Sequence, residues 1–191
     1  RAKNTMAILK VLHFPDERLR LKGVTIEEID SEIASLAENM LETMYLEGGI
    51  GLAATQVNIQ KRIVVIDLSE NKDDPLILIN PKISKLEGKE ITQEGCLSVP
   101  EYFDNVERAK NIEYNYETLN KKTIVAKAEG LLAICIQHEI DHLDGKLFID
   151  YLSPLKRNRL RKKINKQKID LARSDNFKSI PERNGPFNKI L

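Results

Sequence analysis

Residues that bind metals or form disulfides are scarce in this sequence. It has three histidines and two cysteines among 191 residues. Two cysteines cannot supply the disulfide framework of a small secreted domain, and without a secretory leader they favour a reducing compartment. A disulfide between Cys96 and Cys135 is the one pairing that the chain could form.

Long apolar runs and a strong excess of one charge are also missing. The longest apolar run is six residues, Leu131 to Ile136, and the net charge is +1. A membrane-spanning helix needs about 20 apolar residues, and a secretory signal needs about 7 to 15. We therefore expect a soluble protein with one folded domain, in the cytoplasm or, as the alternative, in an organelle.

Two of the three histidines lie in the segment QHEIDH, Gln137 to His142. His138 and His142 are four residues apart, so on an α-helix both imidazoles face one side and can bind one metal ion. Glu139 lies about 100° further around the helix axis, where it can act as an acid or a base. This spacing predicts a metal-dependent hydrolase.

The residues that follow this helix do not supply a typical third ligand. A catalytic zinc-type site takes three protein ligands and leaves one position for water. Phe148 occupies the place of the third histidine in the metzincin pattern. No glutamate lies between His142 and Glu182, so the thermolysin arrangement is excluded. His13 lies in VLHFPDERLR, where we expect a surface strand and turn.

The two cysteines are the remaining soft donors. Cys96 lies in EGCLSVP, between Gly95 and Pro100. We expect a short irregular segment there that brings a thiolate and a backbone N–H to one point. Cys135 lies three residues before His138 in an apolar run, as expected for a core or pocket residue. Cys96 is therefore the better candidate ligand.

A glycine-rich stretch, GGIGLAATQV, runs from Gly48 to Val57. A helix cap followed by a turn would explain it. A phosphate-binding loop is excluded, because the Gly-Lys-Ser/Thr ending is missing and Ala54 interrupts the dinucleotide pattern. The glycines also suit close approach of the backbone to a ligand, and Gln56 offers a neutral amide donor.

The periodicity of the apolar residues predicts an α+β fold. Residues Thr25 to Leu46 have helical spacing and begin with a potential capping box. A second helix, Leu131 to Leu143, carries the histidine pair. Four strands are predicted, at Ile63–Leu68, Leu76–Ile79, Ile112–Tyr116 and Thr123–Ala128. This order favours partly antiparallel sheets around the central metal-binding helix.

Three segments together, GIGLAATQ, EGCLS and QHEIDHLDG, closely resemble in this order the three motifs of the peptide deformylases. The resemblance also covers VLHFPDERLR and LFIDYLSPLKR, so it extends from about Met6 to about Lys168. It is similar to the bacterial type whose chain ends in a C-terminal helix. The implied reaction removes the formyl group from the N-terminal formylmethionine of a new polypeptide and releases formate.

The resemblance implies a ligand set and an acid-base residue. Cys96, His138 and His142 would bind one divalent metal ion, and Glu139 would transfer protons. Family members work best with Fe(II) and often tolerate zinc, nickel or cobalt.

The resemblance also implies roles around the substrate. Gln56 and the backbone N–H of Leu97 would bind the developing oxyanion, and Gly51 would help to hold the substrate. The methionine side chain requires an apolar pocket. Ile50, Leu131, Ile134 and Cys135 are candidates, and ordinary core residues are the alternative for each of them.

The ends of the chain depart from the family pattern. We expect a single catalytic domain at residues 6–173, a leader or cloning remnant at residues 1–5 and a C-terminal tail at residues 174–191. Tyr102 and Phe103 stand where many relatives carry glutamine and arginine. We therefore expect the Cys96 segment to lack the polar support of those side chains.

The segment from Lys156 to Lys168 has eight lysines or arginines and no acidic residue. A solvated helix face would explain it, but so one-sided a segment favours an anionic partner. In similar deformylases the C-terminal helix docks on the ribosome, so the resemblance implies ribosomal RNA. Contacts with phosphates would be independent of base sequence and would weaken with salt.

Two other functions are compatible with part of the pattern. The histidine pair alone also permits a metallopeptidase, although the usual third ligands are missing. A ribosome-associated protein with a structural metal is the second alternative. A closed structural site needs a fourth cysteine or histidine, and only Cys135 and His13 remain.

Overall fold

The structure, a computed structural model, describes residues 7–174. Within this range the helices are α1 (Ser31–Leu46), α2 (Gly130–Leu143) and α3 (Pro154–Ser174). The strands are β1 (Gly51–Ala53), β2 (Ile63–Ile66), β3 (Leu76–Glu87), β4 (Glu90–Cys96), β5 (Val99–Arg108), β6 (Asn111–Glu117) and β7 (Thr123–Glu129). The predicted leader, residues 1–5, and all but the first residue of the predicted tail, 174–191, lie outside the described residues.

The strands form two sheets. The larger has the order β1-β2-β3-β6-β7, and the smaller consists of β4 and β5. Every pair of neighbouring strands is antiparallel. The predicted α+β fold, with antiparallel sheets, a central helix and a C-terminal helix, is confirmed.

The predicted strands are present, with one large difference in length. β3 does not end at Ile79 but continues to Glu87 beside β6. Asn80, with a φ of 51°, lies where the pairing of these strands shifts register. This irregularity interrupts the alternation of side chains, so the second half of the strand was not predicted.

Helix α1 begins six residues later than predicted, and the predicted capping box is wrong. Asp30 is the N-cap, and its Oδ1 accepts hydrogen bonds from two backbone N–H groups of the first turn, at 2.9 and 3.0 Å. The side-chain amide of Asn80 bonds to both the backbone N–H and the carbonyl of Ile26, which keeps that residue out of a helix. Ile26 and Ile29 are nonetheless buried. Their spacing fits one face of a helix, so the sequence predicts a helix that begins too early.

The glycine-rich stretch begins with a helix cap, which is one of the two explanations that its sequence allows. Helix α1 ends at Leu46, and Gly48 follows with a left-handed φ of 73°. This conformation suits glycine because a Cβ atom disfavours it. The chain then enters β1, which packs against α2.

Two expectations about local segments are right in part. Cys96 is the last residue of β4, but the pairing with β5 shifts register just before it and a turn follows it directly. In VLHFPDERLR the expected turn is present at residues 14–15, whereas residues 11–13 form no strand and are partly buried. The backbone N–H of Leu12 donates to the carbonyl of Gln56 at 2.8 Å, and that of Phe14 to the carbonyl of Ser98 at 2.7 Å. This segment therefore braces the short 3-10 helix that carries Gln56 and the turn that carries Leu97.

Helix α2 packs against β1, β2 and β7. Gln137 attaches it to the connection between β5 and β6, because its side-chain amide both donates to and accepts from the backbone of Ala109, at 2.9 and 3.0 Å. The apolar side of the helix is buried in the core through Ala133, Ile134, Ile136 and Leu143. The histidine pair is thus held on a helix with fixed position and rotation.

Helix α3 packs on a separate apolar cluster around Phe148, through Leu160 and Ile164. Its basic side chains are mostly exposed. None of the helices within residues 7–174 is both long enough and apolar enough to cross a membrane.

Candidate metal centre

The three predicted metal ligands lie together at the junction of α2 and β4. The Sγ atom of Cys96 is 3.2 Å from Nε2 of His142, and Nε2 of His142 is 3.2 Å from Nε2 of His138. Each of the three residues is at most 2% exposed. Two turns of one helix and the end of one strand therefore direct three donor atoms at a common point.

The spacing and chemistry of these atoms suit one metal ion. Tetrahedral coordination with bonds of about 2.0 Å to nitrogen and about 2.3 Å to sulfur separates the ligand atoms by roughly 3.3 to 3.6 Å. Thiolate and imidazole are ligands that transition metals such as iron and zinc accept. Among the described residues this is the one group of three such side chains, so the potential metal site consists of Cys96, His138 and His142.

The carboxylate of Glu94, which forms a buried ion pair with Arg108, orients His138. Its Nδ1 lies 2.9 Å from Oε2 of Glu94, which directs Nε2 toward the other two donors. Arg108 holds Glu94 through Nε to Oε1 at 2.7 Å and Nη2 to Oε2 at 3.0 Å, and it also contacts Asp141 on α2. Burial alone would raise the pKa of Glu94, but hydrogen bonds from Arg108 and His138 lower it to about 2. Glu94 is therefore a carboxylate at neutral pH.

Glu139 lies beside His138 but has no comparable partner. Its side chain is fully buried, and neither carboxylate oxygen has a hydrogen-bond partner among the described residues. Burial raises the pKa of its carboxyl well above the usual value, and the charge on Glu94 raises it further. A bound cation would oppose this shift by favouring the carboxylate. A carboxyl group under these two opposing effects is suited to accept and return a proton near neutral pH.

Burial keeps two of the predicted ligands in their neutral forms. It raises the pKa of the Cys96 thiol, and the charge on Glu139 adds to this effect. It lowers the pKa of His142 well below the usual value, as does the neighbouring His138. A neutral imidazole is already the form that binds metals, whereas the thiol has to release its proton on binding.

The two predicted oxyanion donors lie next to Cys96. The side chain of Gln56 is buried, with Nε2 at 3.6 Å from Sγ of Cys96 and 3.1 Å from Oγ of Ser98. Its Oε1 accepts a hydrogen bond from the backbone N–H of Ala53 at 2.8 Å, which fixes the direction of the amide. Leu97 follows Cys96 directly, in the turn between β4 and β5.

The apolar candidates divide into two groups. Ile134 and Cys135 are buried, and the half-buried Ile50 packs against the same cluster. Leu131 is 41% exposed, at the start of α2. Gly51 lies beside Cys135, since a Cβ atom added to Gly51 would be 3.0 Å from the Cys135 Sγ. Ile50, Ile134 and Cys135 thus belong to one apolar cluster, Gly51 lies next to both Cys135 and Glu139, and Leu131 is nearer to solvent.

Apolar packing supports the strand that carries Cys96. The ring of Phe103 lies directly on Gly95, leaving no room for a Cβ atom there. Tyr102 packs against Phe148 with ring centroids 6.2 Å apart, and its hydroxyl donates to Asp104 at 3.0 Å. The sequence predicts that the Cys96 segment lacks polar support at position 103. The aromatic ring of Phe103 supports it there by packing on Gly95.

Sequence reasoning did not identify Glu94 or Arg108 as site residues. A signal for Glu94 was available: it is two residues before Cys96 on one strand, and side chains at that spacing face the same side. No pattern indicated Arg108, because it reaches Glu94 only through the pairing of β4 with β5.

Comparisons with known proteins identify the family. The family model described as polypeptide deformylase matches residues 8–158. A peptide deformylase of Pseudoalteromonas translucida is 56% identical over 162 residues, which are 85% of this chain and 97% of that protein. One of Nitrosococcus oceani is 55% identical with the same coverage.

The fold comparison gives the same result. The crystal structure of a peptide deformylase from Legionella pneumophila matches with a TM-score of 0.82 and 44% identity, covering 87% of this chain and 99% of that one. The resemblance of the three motifs is thereby confirmed. The chain belongs to the peptide deformylase family and is a hydrolase that removes the N-terminal formyl group from newly synthesised polypeptides.

Proposed function

We propose that Cys96, His138 and His142 bind one divalent metal ion and that Glu139 is the acid and base of the deformylation. The convergence of three donor atoms beside a buried carboxylate that has no hydrogen-bond partner within residues 7–174 is the observation that carries this assignment. Residues 6–173 form the proposed catalytic domain.

Glu139 moves the proton that the reaction requires. The metal, when bound, lowers the pKa of water from about 15.7 toward neutrality and polarises the formyl carbonyl. Glu139 accepts a proton from the attacking water. It then donates this proton to the methionine nitrogen as the C–N bond breaks and formate leaves.

Gln56 and Leu97 stabilise the negative charge that develops on the formyl oxygen. Nε2 of Gln56 and the backbone N–H of Leu97 donate hydrogen bonds to it, and one such donor is typically worth about 3 kcal/mol. The hydrogen bond from Ala53 to Oε1 of Gln56 supports this role, because it leaves Nε2 on the side of Cys96.

The substrate binds between β1 and α2. Ile50, Ile134 and Cys135 surround the methionine side chain, and Leu131 lies at the entrance. Gly51 holds the peptide through its backbone. β1 is an edge strand of the described sheet, with β2 on one side, and an edge strand offers N–H and carbonyl groups to an extended peptide.

Fe(II) is the proposed native metal, with zinc, nickel and cobalt as tolerated substitutes. One thiolate and two imidazoles accept all four of these metals. The thiolate brings a negative charge to the ion and reduces its Lewis acidity. Metal analysis of protein purified without oxygen tests this assignment. The proposed location is the cytoplasm of a bacterial cell.

Replacing Glu139 with glutamine tests the proposed chemistry. We expect formate release from formyl-Met-Ala-Ser to fall by about 10²- to 10⁴-fold, because glutamine keeps the shape of the side chain but cannot accept a proton. The metal content should not change, since Glu139 is not among the three converging donors. Formate release, metal analysis and thermal unfolding are measured on both proteins.

Unblocked peptides provide the control substrate for this experiment. The wild-type protein should release no amino acids from them, whereas a metallopeptidase would. Undiminished formate release by Glu139→Gln would contradict the assigned role. A metal-loaded wild-type protein that releases no formate would contradict the proposed site as a whole.

The exposed face of α3 is the proposed contact with ribosomal RNA. Leu160 and Ile164 pack inward, which leaves Arg159, Lys162 and Lys166 exposed on one strip of the helix. These side chains can neutralise phosphates without reading bases.

Charge reversal at Arg159, Lys162 and Lys166 should weaken binding to ribosomes and reduce its salt dependence. Each lost phosphate contact reduces the slope of log affinity against log salt by about 0.7 to 0.9. Co-sedimentation over a range of salt concentrations measures this slope. Lys121→Glu with Lys122→Glu is the control, because these exposed residues lie on the turn between β6 and β7. Equal slopes for all three proteins would contradict the proposal.

A further inference from the structure

We propose that Gly51 is a positioning residue for Glu139: its bare Cα is the surface that holds the catalytic carboxylate in place. This inference rests on the proposed role of Glu139. It gives Gly51 a task that is separate from holding the substrate, and it explains why this position in β1 is a glycine.

Hydrogen bonds do not hold the carboxylate of Glu139. Neither Oε1 nor Oε2 has a hydrogen-bond partner among the described residues, although both atoms are buried. His138, the neighbouring residue on α2, is by contrast fixed by Glu94 at 2.9 Å. A glutamate side chain can rotate about three bonds, so packing has to select the conformation that points at the metal centre.

Gly51 supplies that packing. A Cβ atom at position 51 would overlap Oε1 of Glu139 and would lie 3.0 Å from the Glu139 Cδ. It would also lie 3.0 Å from Sγ of Cys135. The Cα of Gly51 therefore faces the carboxylate with no free space between them, and the buried sulfur of Cys135 closes the same side.

The backbone of Gly51 is held firmly enough to act as this surface. Gly51 pairs with Ile66 of β2, and the carbonyl of Ile50 accepts a hydrogen bond from Asp67 at 2.9 Å. Asp67 is fixed in turn by Tyr45, whose hydroxyl donates to its carboxylate at 2.6 Å. The end of α1 thus braces the strand against which Glu139 packs.

Backbone conformation does not account for the glycine. Gly51 is not among the residues with a left-handed φ, unlike Gly48. Alanine could adopt its conformation without strain, and in a strand alanine has a smaller entropic cost than glycine. There is no space for the methyl group of alanine at this position, because it would overlap Oε1 of Glu139.

Gly51→Ala should therefore preserve the fold and impair catalysis. Oε1 of Glu139 would have to retreat by roughly 1 Å to reach ordinary contact at 3.4 Å. The end of a glutamate side chain can make that movement without disturbing the backbone. A displacement of about 1 Å at a catalytic group can reduce the rate by about 100-fold.

The metal-loaded variant is compared with wild type for kcat and KM on formyl-Met-Ala-Ser, metal content and thermal unfolding. We expect kcat to fall by about 100-fold, with KM, metal content and melting temperature close to wild type. Gly49→Ala is the matched control. It adds the same methyl group two residues earlier in the chain, but the atom displaced is Cδ1 of Leu97, a residue that contributes its backbone N–H and not its side chain to the proposed site. Its kcat should fall much less.

A double variant separates steric displacement from loss of substrate contact. Glu139→Asp shortens the side chain and withdraws the carboxylate from Gly51, so adding Gly51→Ala should reduce kcat no further. The inference would be overturned if the kcat loss in the double variant equalled the product of the two single losses. A raised KM with unchanged kcat in Gly51→Ala would also overturn it. Wild-type kcat in Gly51→Ala would overturn it as well.

If Gly51→Ala folds poorly, a second double variant tests the same inference. Adding Cys135→Ala removes the sulfur that lies 3.0 Å from the new methyl group and restores volume, while the overlap with Glu139 remains. This pair should fold, bind metal and show the same loss of kcat relative to Cys135→Ala alone; equal kcat would overturn the inference. Full activity in Glu139→Gln would instead show that the proposed function itself is wrong.

Discussion

Cys96→Ala is expected to leave the protein without bound metal and without measurable formate release. Cys96 provides the one sulfur among the three converging donors, at 3.2 Å from Nε2 of His142. Alanine leaves two imidazoles, and the ion also loses the negative charge that the thiolate supplies. Metal content after purification without oxygen and gel filtration, together with formate release, measures both effects.

Cys135→Ala is the matched control for this variant. Both cysteines are fully or almost fully buried, and both stand within a few ångströms of the site. Cys135 is not one of the converging donors, so its replacement should leave the metal content unchanged. Stoichiometric metal in Cys96→Ala would show that the ligand assignment is wrong.

Metal binding to the wild-type protein should also release protons. Burial raises the pKa of the Cys96 thiol, so the thiol is protonated at neutral pH until a cation binds. Calorimetric titration of the metal-free protein in buffers of different ionisation enthalpy counts the protons released. Cys96→Ala, which is expected to bind no metal, should release none. His142 adds no proton to the wild-type count, because burial lowers its pKa and keeps its imidazole neutral.

The metal site was the part of this protein most accessible from sequence. Helical spacing alone places His138 and His142 on one side of α2, and Glu139 follows from the same geometry. The third ligand required a different argument, since Cys96 comes from β4, about forty residues earlier. Its selection depended on excluding other donors, which only a chain so poor in cysteine and histidine permits.

The residues behind the ligands could not be predicted in the same way. Arg108 reaches Glu94 because β4 and β5 pair across a hairpin, and the sequence did not indicate either strand. The predicted strand ends too early, at Ile79, because an irregularity at Asn80 interrupts the alternation of side chains in β3. The predicted first helix begins too early because Ile26 and Ile29, which precede α1, are also buried. Each of these features depends on a tertiary contact, to which local periodicity is insensitive.

Arg108→Met is expected to lower the free energy of unfolding by about 3 to 5 kcal/mol. Arg108 is 4% exposed and pairs with Glu94, which is fully buried, and with Asp141. Methionine fills similar space but leaves a buried carboxylate without its counter-ion, which is the costly way to break such a pair. Urea unfolding of the metal-free proteins measures the difference without a contribution from metal binding.

Arg20→Met gives the matched comparison. Arg20 pairs with Asp150 at 2.6 Å, a distance like that of the buried pair, but the two side chains are 34% and 30% exposed. Water screens this pair, so its loss should cost about 1 kcal/mol or less. Similar losses in Arg20→Met and Arg108→Met would indicate that burial of the charges is not what makes Arg108 important.

The difference between Arg108→Met and wild type should shrink as the pH falls from 7 toward 4. In the wild type the pKa of Glu94 is lowered to about 2, so its ionisation stabilises the fold above the usual pKa of 4.5 and this contribution is lost toward pH 2. Without Arg108, burial raises the pKa of Glu94, so protonation stabilises the variant as the pH falls. A difference in unfolding free energy that stays constant with pH would show that Arg108 contributes through packing, and that the charge of Glu94 has little part in orienting His138.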